Sequence, residues 1–365
     1  MKRLLDLALV LILTQCSWGS HFDEPQSYGP VKDGPYIFLE NNELKIKWVH
    51  NDILRKGTIT EKNFNKHKKR FGFSFDYSDL KLTFSAEYCH HQCHKPADSI
   101  AVLADIHGEY DIYIKSLRSA GIIDRSHNWS FGNGHLVIIG DVFDRGDKVT
   151  EVLWHLYGLE KQAERAGGKV HFLLGNHELL VLEEDLRYVG DKYRRVEEIS
   201  GTSYYDLYSD NSVLGHWLRR KPVMMTLSNI LFVHGGVSDE MVTRKMSVED
   251  VNRKFSENFS SERDRLSCSD EELYFLDYDD GPVWYRGYFT DTTFCESRID
   301  AILDFYDISH IVVGHTPHKT IAARFGNKIL GADTGMMYHR PGEMLLYKEG
   351  LFYRAYHDGT RVRIN

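Results

Sequence analysis

Five short polar clusters carry residue types that could do chemistry together. They read ADIHGEYD (Ala104 to Asp111), GDVFDRGD (Gly140 to Asp147), GNHE (Gly175 to Glu178), HGG (His234 to Gly236) and GHT (Gly314 to Thr316). Each alone is weak, because a loop histidine is usually a surface residue and a Gly-Asp pair is usually a turn. Together they supply Asp105, His107, Asp141, Asn176, His234 and His315, each just beyond a hydrophobic run. Short side chains at strand ends can converge on a metal with few rotamers to lose. Asp105 and His107 are two apart, so a turning backbone can aim both at one ion. Asp141 is placed to bridge two ions, and Asn176, His234 and His315 would complete a second site. Such a nitrogen and oxygen shell suits manganese, iron or zinc better than calcium, and the lack of thiolates disfavours a structural zinc site. Two such ions, divalent or trivalent, could share a hydroxide and orient an in-line displacement at phosphorus.

The same clusters hold the other parts of a phosphoryl site. Arg145 follows Asp141 by four residues, so a tight turn can return its planar, bidentate guanidinium to a bound phosphate. His177 adjoins Asn176 and can donate a proton to a leaving oxygen if Asp144 fixes its tautomer. A salt bridge that only stiffens the loop is the plain alternative for Asp144 and Arg145. The sequence has no cysteine followed after five residues by arginine, no GxxxxGK[ST] loop and no dinucleotide fingerprint.

In type and order the five clusters resemble the metallophosphoesterase (calcineurin-like) superfamily, its phosphoprotein phosphatase branch, and within that the Shewanella-like phosphatases. The resemblance runs from about Ser99 to Gly335. It implies an α/β fold, a two-sheet β-sandwich flanked by helices with a dinuclear centre at one edge. It assigns Asp105 and His107 to the first metal, Asp141 to the bridge, and Asn176, His234 and His315 to the second metal. Arg145 and Arg286 (in VWYRG) match phosphate-binding arginines, His177 the proton donor and Asp144 its orienting carboxylate, and Asp333-Thr334-Gly335 a late closing loop. Family members usually carry glycine where this chain has Ala104, and neither the long stretch between His234 and His315 nor CHHQCH has a counterpart. The implied activity is metal-dependent hydrolysis of phosphate monoesters. A phosphopeptide or phosphoprotein is the expected substrate, with a modest preference for phosphotyrosine. A small-molecule or nucleotide phosphatase, a phosphodiesterase and a catalytically inactive metal-dependent binder share these ligands. Two arginines favour a dianionic monoester over a diester, and survival of the ligands, arginines and acid argues against the inactive binder.

The elements that must position these groups are legible as runs. Ile100 to Leu103, Leu136 to Ile139, Val170 to Leu174, Ile230 to Val233 and Ile311 to Val313 each have the length and composition of a buried strand. Tyr113 to Ser119 and Glu151 to Glu164 read as intervening helices, and polar groups at strand carboxyl ends are where open sheets place their sites. Residues 183–221 form a helical insert beside the site, with a turn near Asp210 and Asn211. Its Tyr188, Tyr204, Tyr205, Tyr208 and Trp217 could wall a phosphotyrosine ring or simply pack inside the insert. A second charged insert falls near 242–272, within a catalytic domain spanning 98–365. Residues 20–97 read as a small β-containing extension, with strand alternation in Leu44 to Val49 and Phe71 to Phe84.

The whole chain sets outer bounds. Its 365 residues are 42% apolar and 27% charged, ordinary for a folded protein. A formal charge of −8 gives no reason to expect nucleic-acid binding. Lys2 and Arg3 before the apolar run Leu7 to Leu13 read as a signal peptide over residues 1–19, giving an exported protein, periplasmic in a bacterium. A buried N-terminal helix is the competing reading. Gln15 disfavours a lipid anchor on Cys16, and no stretch is long enough for stable membrane insertion. Export leaves Cys89, Cys93, Cys268 and Cys295, an even set suited to disulfides whose pairing stays open. Cys89 and Cys93 sit with His90, His91 and His94 in CHHQCH, which could alternatively hold a metal. Oligomeric state is open.

Overall fold

Alternation decides which core each strand residue joins. In Ser99–Leu103, Ile100 and Val102 point into one buried cluster while Ala101 and Leu103 point into another. The same split repeats in His135–Ile139, where Val137 and Ile139 join the first cluster and Leu136 and Ile138 the second. Strands buried on both faces therefore read as unbroken apolar runs, with a sheet on one side and helices on the other. The computed structural model describes residues 29–85, 93–94, 97–260 and 271–365. The leader, Cys89, His90, His91 and Cys268 lie outside the described residues, and only the backbone of Cys93 and His94 is described.

In chain order the strands are β1 Lys32–Glu40, β2 Glu43–His50, β3 Ile53–Ile59, β4 Cys93–His94, β5 Ser99–Leu103, β6 His135–Ile139, β7 Lys169–Leu173 and β8 Met224–Leu227. The rest are β9 Ile230–Val233, β10 His310–Val313, β11 Ala322–Arg324, β12 Ile329–Gly331, β13 Met344–Lys348, β14 Leu351–Ala355 and β15 Arg361–Arg363. One mixed sheet has the order β15-β14-β13-β5-β6-β7, and a second has β11-β12-β10-β9-β8-β4. Ile100, Val102, Val137 and Ile139 of the first sheet meet Ile230, Phe232, Val312 and Leu330 of the second in one cluster, making a sandwich. Helices Tyr110–Ser119 and Val149–Ala166 cover the outer face of β5, β6 and β7. The five apolar runs expected as strands became β5, β6, β7, β9 and β10.

A three-stranded antiparallel sheet, β1-β2-β3, precedes the sandwich. Its two-residue turns, Asn41-Asn42 and Asn51-Asp52, have positive φ at both residues, the hairpin geometry that Asn and Asp tolerate best. The sheet is fastened to the body by Trp154 Nε1, which donates to the Pro35 carbonyl at 2.8 Å, and by the Leu39 amide on the Asn211 carbonyl at 2.8 Å. A buried charge reinforces this seam. Lys192 Nζ lies 2.8 Å from Asp33 Oδ1 and also donates to the Asp147 carbonyl.

The alternation in Phe71 to Phe84 did not become a strand. Phe73 and Phe75 are buried against Trp154 at ring-centroid distances of 5.1 and 5.6 Å, and their segment pairs with no strand among the described residues. Asp79 then accepts the Asp76 amide at 2.7 Å and starts the helix Tyr77–Thr83. The segments expected as inserts carry helices Asp191–Ser200, Tyr204–Leu207 and Val213–Leu218, then Asp239–Thr243, Val248–Ser260 and Glu271–Leu276. No helix among the described residues is long and apolar enough to cross a membrane.

Candidate metal centre

Each candidate ligand stands just past a strand: Asp105 and His107 after β5, Asp141 after β6, Asn176 after β7, His234 after β9 and His315 after β10. All six are buried, at 0–4% exposure. The turns that place them are tight. Asp105, His107, Asp141, Asp144, Arg145 and His315 all have positive φ, a conformation non-glycine residues hold only where surroundings impose it. Glycine is required beside them. A Cβ on Gly175 would stand 2.3 Å from Asp141 Oδ1, and one on Gly314 would stand 2.4 Å from Asp105 Oδ2.

Asp141 is the centre of the constellation. Its Oδ2 lies 3.2 Å from His234 Nε2, 3.7 Å from His107 Nε2 and 3.9 Å from His177 Nε2. Asn176 Oδ1 lies 3.0 Å from His234 Nε2. Two groups could each hold a metal ion: His107 with Asp141 and His177, and Asp141 with His234 and His315. The Asp105 carboxylate stands beside them and accepts the His315 amide at 2.9 and 3.1 Å. Ring nitrogens facing away from the centre are fixed by backbone carbonyls. His107 Nδ1 donates to Phe143 O at 2.8 Å and His234 Nδ1 to Ile139 O at 2.7 Å, which frees each Nε2 as a ligand atom.

The electrostatics fit a cation. Burial pushes the Asp141 carboxyl up, but the His234, His177 and His107 imidazoles overcome it and hold it well below the carboxylate range. Burial opposes charge on His234, yet Asp141 and Asp105 raise its pKa to about 10. A proton on His234 thus stands where a metal would neutralise the carboxylates. Burial lowers His107 to about 4 and carries His315 well below its ordinary value, keeping both imidazoles neutral and able to ligate. The donor set accepts divalent metals.

The remaining predicted groups line the same edge. His177 Nδ1 lies 2.6 Å from Asp144 Oδ2, the orienting contact expected of the pair. Arg145 and Arg286 are exposed at the rim. Arg286 donates through Nη1 to the His315 carbonyl, and its Nη2 is 3.5 Å from His315 Nδ1. Asp333 is buried beneath, its Oδ1 accepting the Gly335 amide at 2.8 Å. Ala104 is buried in the inter-sheet cluster, where its methyl is accommodated.

A match to the calcineurin-like phosphoesterase family covers residues 99–319. The chain belongs to that family. Its fold, its donor set and the relatives below make this calcineurin-like enzyme a metal-dependent phosphatase. It is 30% identical over 292 residues to Shewanella-like protein phosphatase 1 of Plasmodium berghei, covering 78% of each chain. It is 35% identical over 125 residues to Shewanella-like protein phosphatase 2 of Arabidopsis thaliana, covering 34% of this chain and 30% of that one. Among solved structures, the cold-active protein-tyrosine phosphatase of a psychrophilic Shewanella species superposes with a TM-score of 0.82 at 32% identity, covering 92% of this chain and 99% of that one.

The sequence left two readings open for the insert's aromatic residues, and packing within the protein holds for most of them. Of the insert's aromatic residues, Tyr204, Tyr208 and Trp217 are 0–4% exposed and cannot wall a groove. Tyr204 and Tyr208 pack against Phe143, and Trp217 packs on Phe172. Tyr205 is half-buried. Tyr188 alone of the five reaches the site: 41% exposed, its ring lies 5.2 Å from His177 and 5.5 Å from the Arg145 guanidinium. Glu178 was given no role, yet its carboxylate accepts the amides of Gly175, Asp141 and Val142 at 2.7 Å and of Phe143 at 3.3 Å. The signal was present, since an acid three residues past a helix N-cap glycine is half of a capping box. Cys295 is exposed, and its candidate disulfide partners, Cys89, Cys93 and Cys268, have no described side chain.

Proposed function

We propose that this phosphatase uses two metal ions to hydrolyse phosphate monoesters of phosphoproteins, with a modest preference for phosphotyrosine. Asp105, His107 and Asp141 would hold one ion and Asp141, Asn176, His234 and His315 the other, with manganese, iron and zinc all suited to the shell. When bound, the ions supply Lewis-acid charge and an acidified water. Arg145 and Arg286 bind and orient the phosphoryl oxygens from the open side. His177, held by Asp144, gives its Nε2 proton to the leaving oxygen. Burial opposes charge on His177, but Asp141 and Asp144 raise its pKa above the ordinary value, which keeps that proton available.

The observation that carries the substrate reading is Tyr188. Its half-exposed ring stands beside both the candidate acid and a phosphate-binding arginine, where it can pack against the ring of a phosphotyrosine. The relative from Shewanella is a protein-tyrosine phosphatase, which supports this assignment. The test compares kcat/KM on matched peptides bearing phosphotyrosine, phosphoserine or phosphothreonine, alongside nucleotides. We expect phosphotyrosine to lead by about tenfold, equivalent to ~1.4 kcal/mol. In Tyr188→Ala that lead disappears while phosphoserine turnover holds. Nucleotides outrunning every peptide would replace the protein-phosphatase reading with a small-molecule one. Elemental analysis giving one reproducible metal per chain would overturn the two-metal assignment.

A further inference from the structure

Away from the metal centre, β1, β2 and the helix Phe64–Phe71 enclose a recess of about 510 Å³, within the range of small-ligand sites. Trp48 and Phe71 form its aromatic wall, their rings edge-on at 5.5 Å. Its mouth carries Lys32, Arg55 and Arg70, all exposed and none paired with a carboxylate among the described residues. The Arg70 guanidinium lies 5.2 Å from the Trp48 ring centroid, so charge and flat apolar surface are presented side by side. Three unpaired cations around one opening stand out on a chain of net charge −8.

Part of the lining is polar and unfinished. Glu151 lines the recess with a half-exposed side chain whose Oε1 is 3.9 Å from Lys192 Nζ, and its Oε2 is buried with no hydrogen-bond partner among the described residues. Buried polar atoms are ordinarily satisfied, so an unpartnered one on a residue that lines a cavity suits a ligand group. Burial, against the pull of Lys192, holds the Glu151 carboxyl up to about 7, so it can carry a proton to donate. Asp33 on the same wall is already matched by Lys192 Nζ at 2.8 Å and does not repel an anion as a free carboxylate would.

We propose that this recess is a second ligand site, which takes an aromatic ring bearing an anionic group. The ring would lie against Trp48 and Phe71, and its anion would meet the Arg55 and Arg70 guanidiniums, whose planar donors suit carboxylate, sulfate and phosphate groups alike. That chemistry belongs both to free aromatic acids and to an acidic aromatic side chain of a protein. The site does not depend on the substrate assigned to the metal centre.

The test titrates the metal-loaded full chain with naphthalene-2-sulfonate and, separately, with a peptide carrying sulfotyrosine, which a phosphatase does not hydrolyse. Binding is read by calorimetry and by tryptophan fluorescence. We expect saturable binding, weakened about tenfold or more in Arg55→Ala/Arg70→Ala, whose thermal midpoint should match the parent. Trp48→Phe should remove the ligand-dependent fluorescence change while leaving calorimetric binding measurable. Tighter binding of the peptide assigns the site to a protein segment, and tighter binding of the sulfonate assigns it to a small aromatic acid. No saturable binding of either probe, or equal affinity in the double variant, overturns the proposal.

Discussion

At the residue scale, chemistry and support separate cleanly at His177. Its Nε2 falls in a group that could hold a metal, while its Nδ1 is taken by Asp144. As the proposed acid, it would matter most for leaving groups that need protonation. We expect His177→Gln to keep its metal content and to lose roughly 100- to 10,000-fold in turnover of phosphoserine. 4-Nitrophenyl phosphate, whose aryl oxide leaves easily, should lose less. Metal analysis beside kinetics on both substrates decides it, and loss of one metal per chain would make His177 a ligand instead. Glu178 does supporting work of another kind. Glu178→Ala would strand four buried amides, each costing about 1–3 kcal/mol, so the variant should be unfolded or nearly so by circular dichroism. The six candidate ligands were legible because a polar residue after an apolar run is a local signal. Tyr188 was no more visible than Tyr204 or Tyr208, because which of them faces the site depends on packing against Phe143 that no local pattern encodes.

At the element scale, helix Val149–Ala166 is tied to helix Tyr110–Ser119 through His155. Its Nδ1 accepts from the Tyr113 hydroxyl at 2.8 Å and its Nε2 donates to the His127 carbonyl at 3.0 Å, a pattern that needs the neutral ring. Burial lowers its pKa to about 4. Between that value and the ordinary 6.5 the unfolded chain binds the extra proton, so stability should fall as pH drops through this window, by up to ~3 kcal/mol. Denaturant titrations from pH 7 to 4 should show this slope in the parent and a shallower one in His155→Gln. Equal slopes would place the acid sensitivity elsewhere. The strands β5, β6, β7, β9 and β10 were legible from composition because burial on both faces leaves unbroken apolar runs. The segment Phe71 to Phe84 misled because its aromatic alternation serves packing on Trp154, and β3 went unread because most of its residues are polar or exposed.

At the scale of the whole molecule, the seam between the three-stranded sheet and the sandwich runs through Asp33 and Lys192. Both side chains are largely buried, at 0% and 10% exposure. Breaking one partner of such a pair is expected to cost about 3–5 kcal/mol, so Asp33→Asn should lower stability by that order. Asp33→Asn/Lys192→Met should recover part of the loss, since no lone charge remains. Urea unfolding of the set would check this, and additive losses would show that the two charges are not coupled. Lys192 also reaches the Asp147 carbonyl, in the turn that carries Arg145. A chain cut back to its ligand-bearing residues would keep every metal donor and lose the nearer of that ammonium's two carboxylates, leaving Glu151 Oε1 at 3.9 Å. The turn that carries Arg145 would then rest on a more weakly compensated charge. Shortening the chain past Asp33 is therefore expected to loosen that turn well before the first metal ligand is reached.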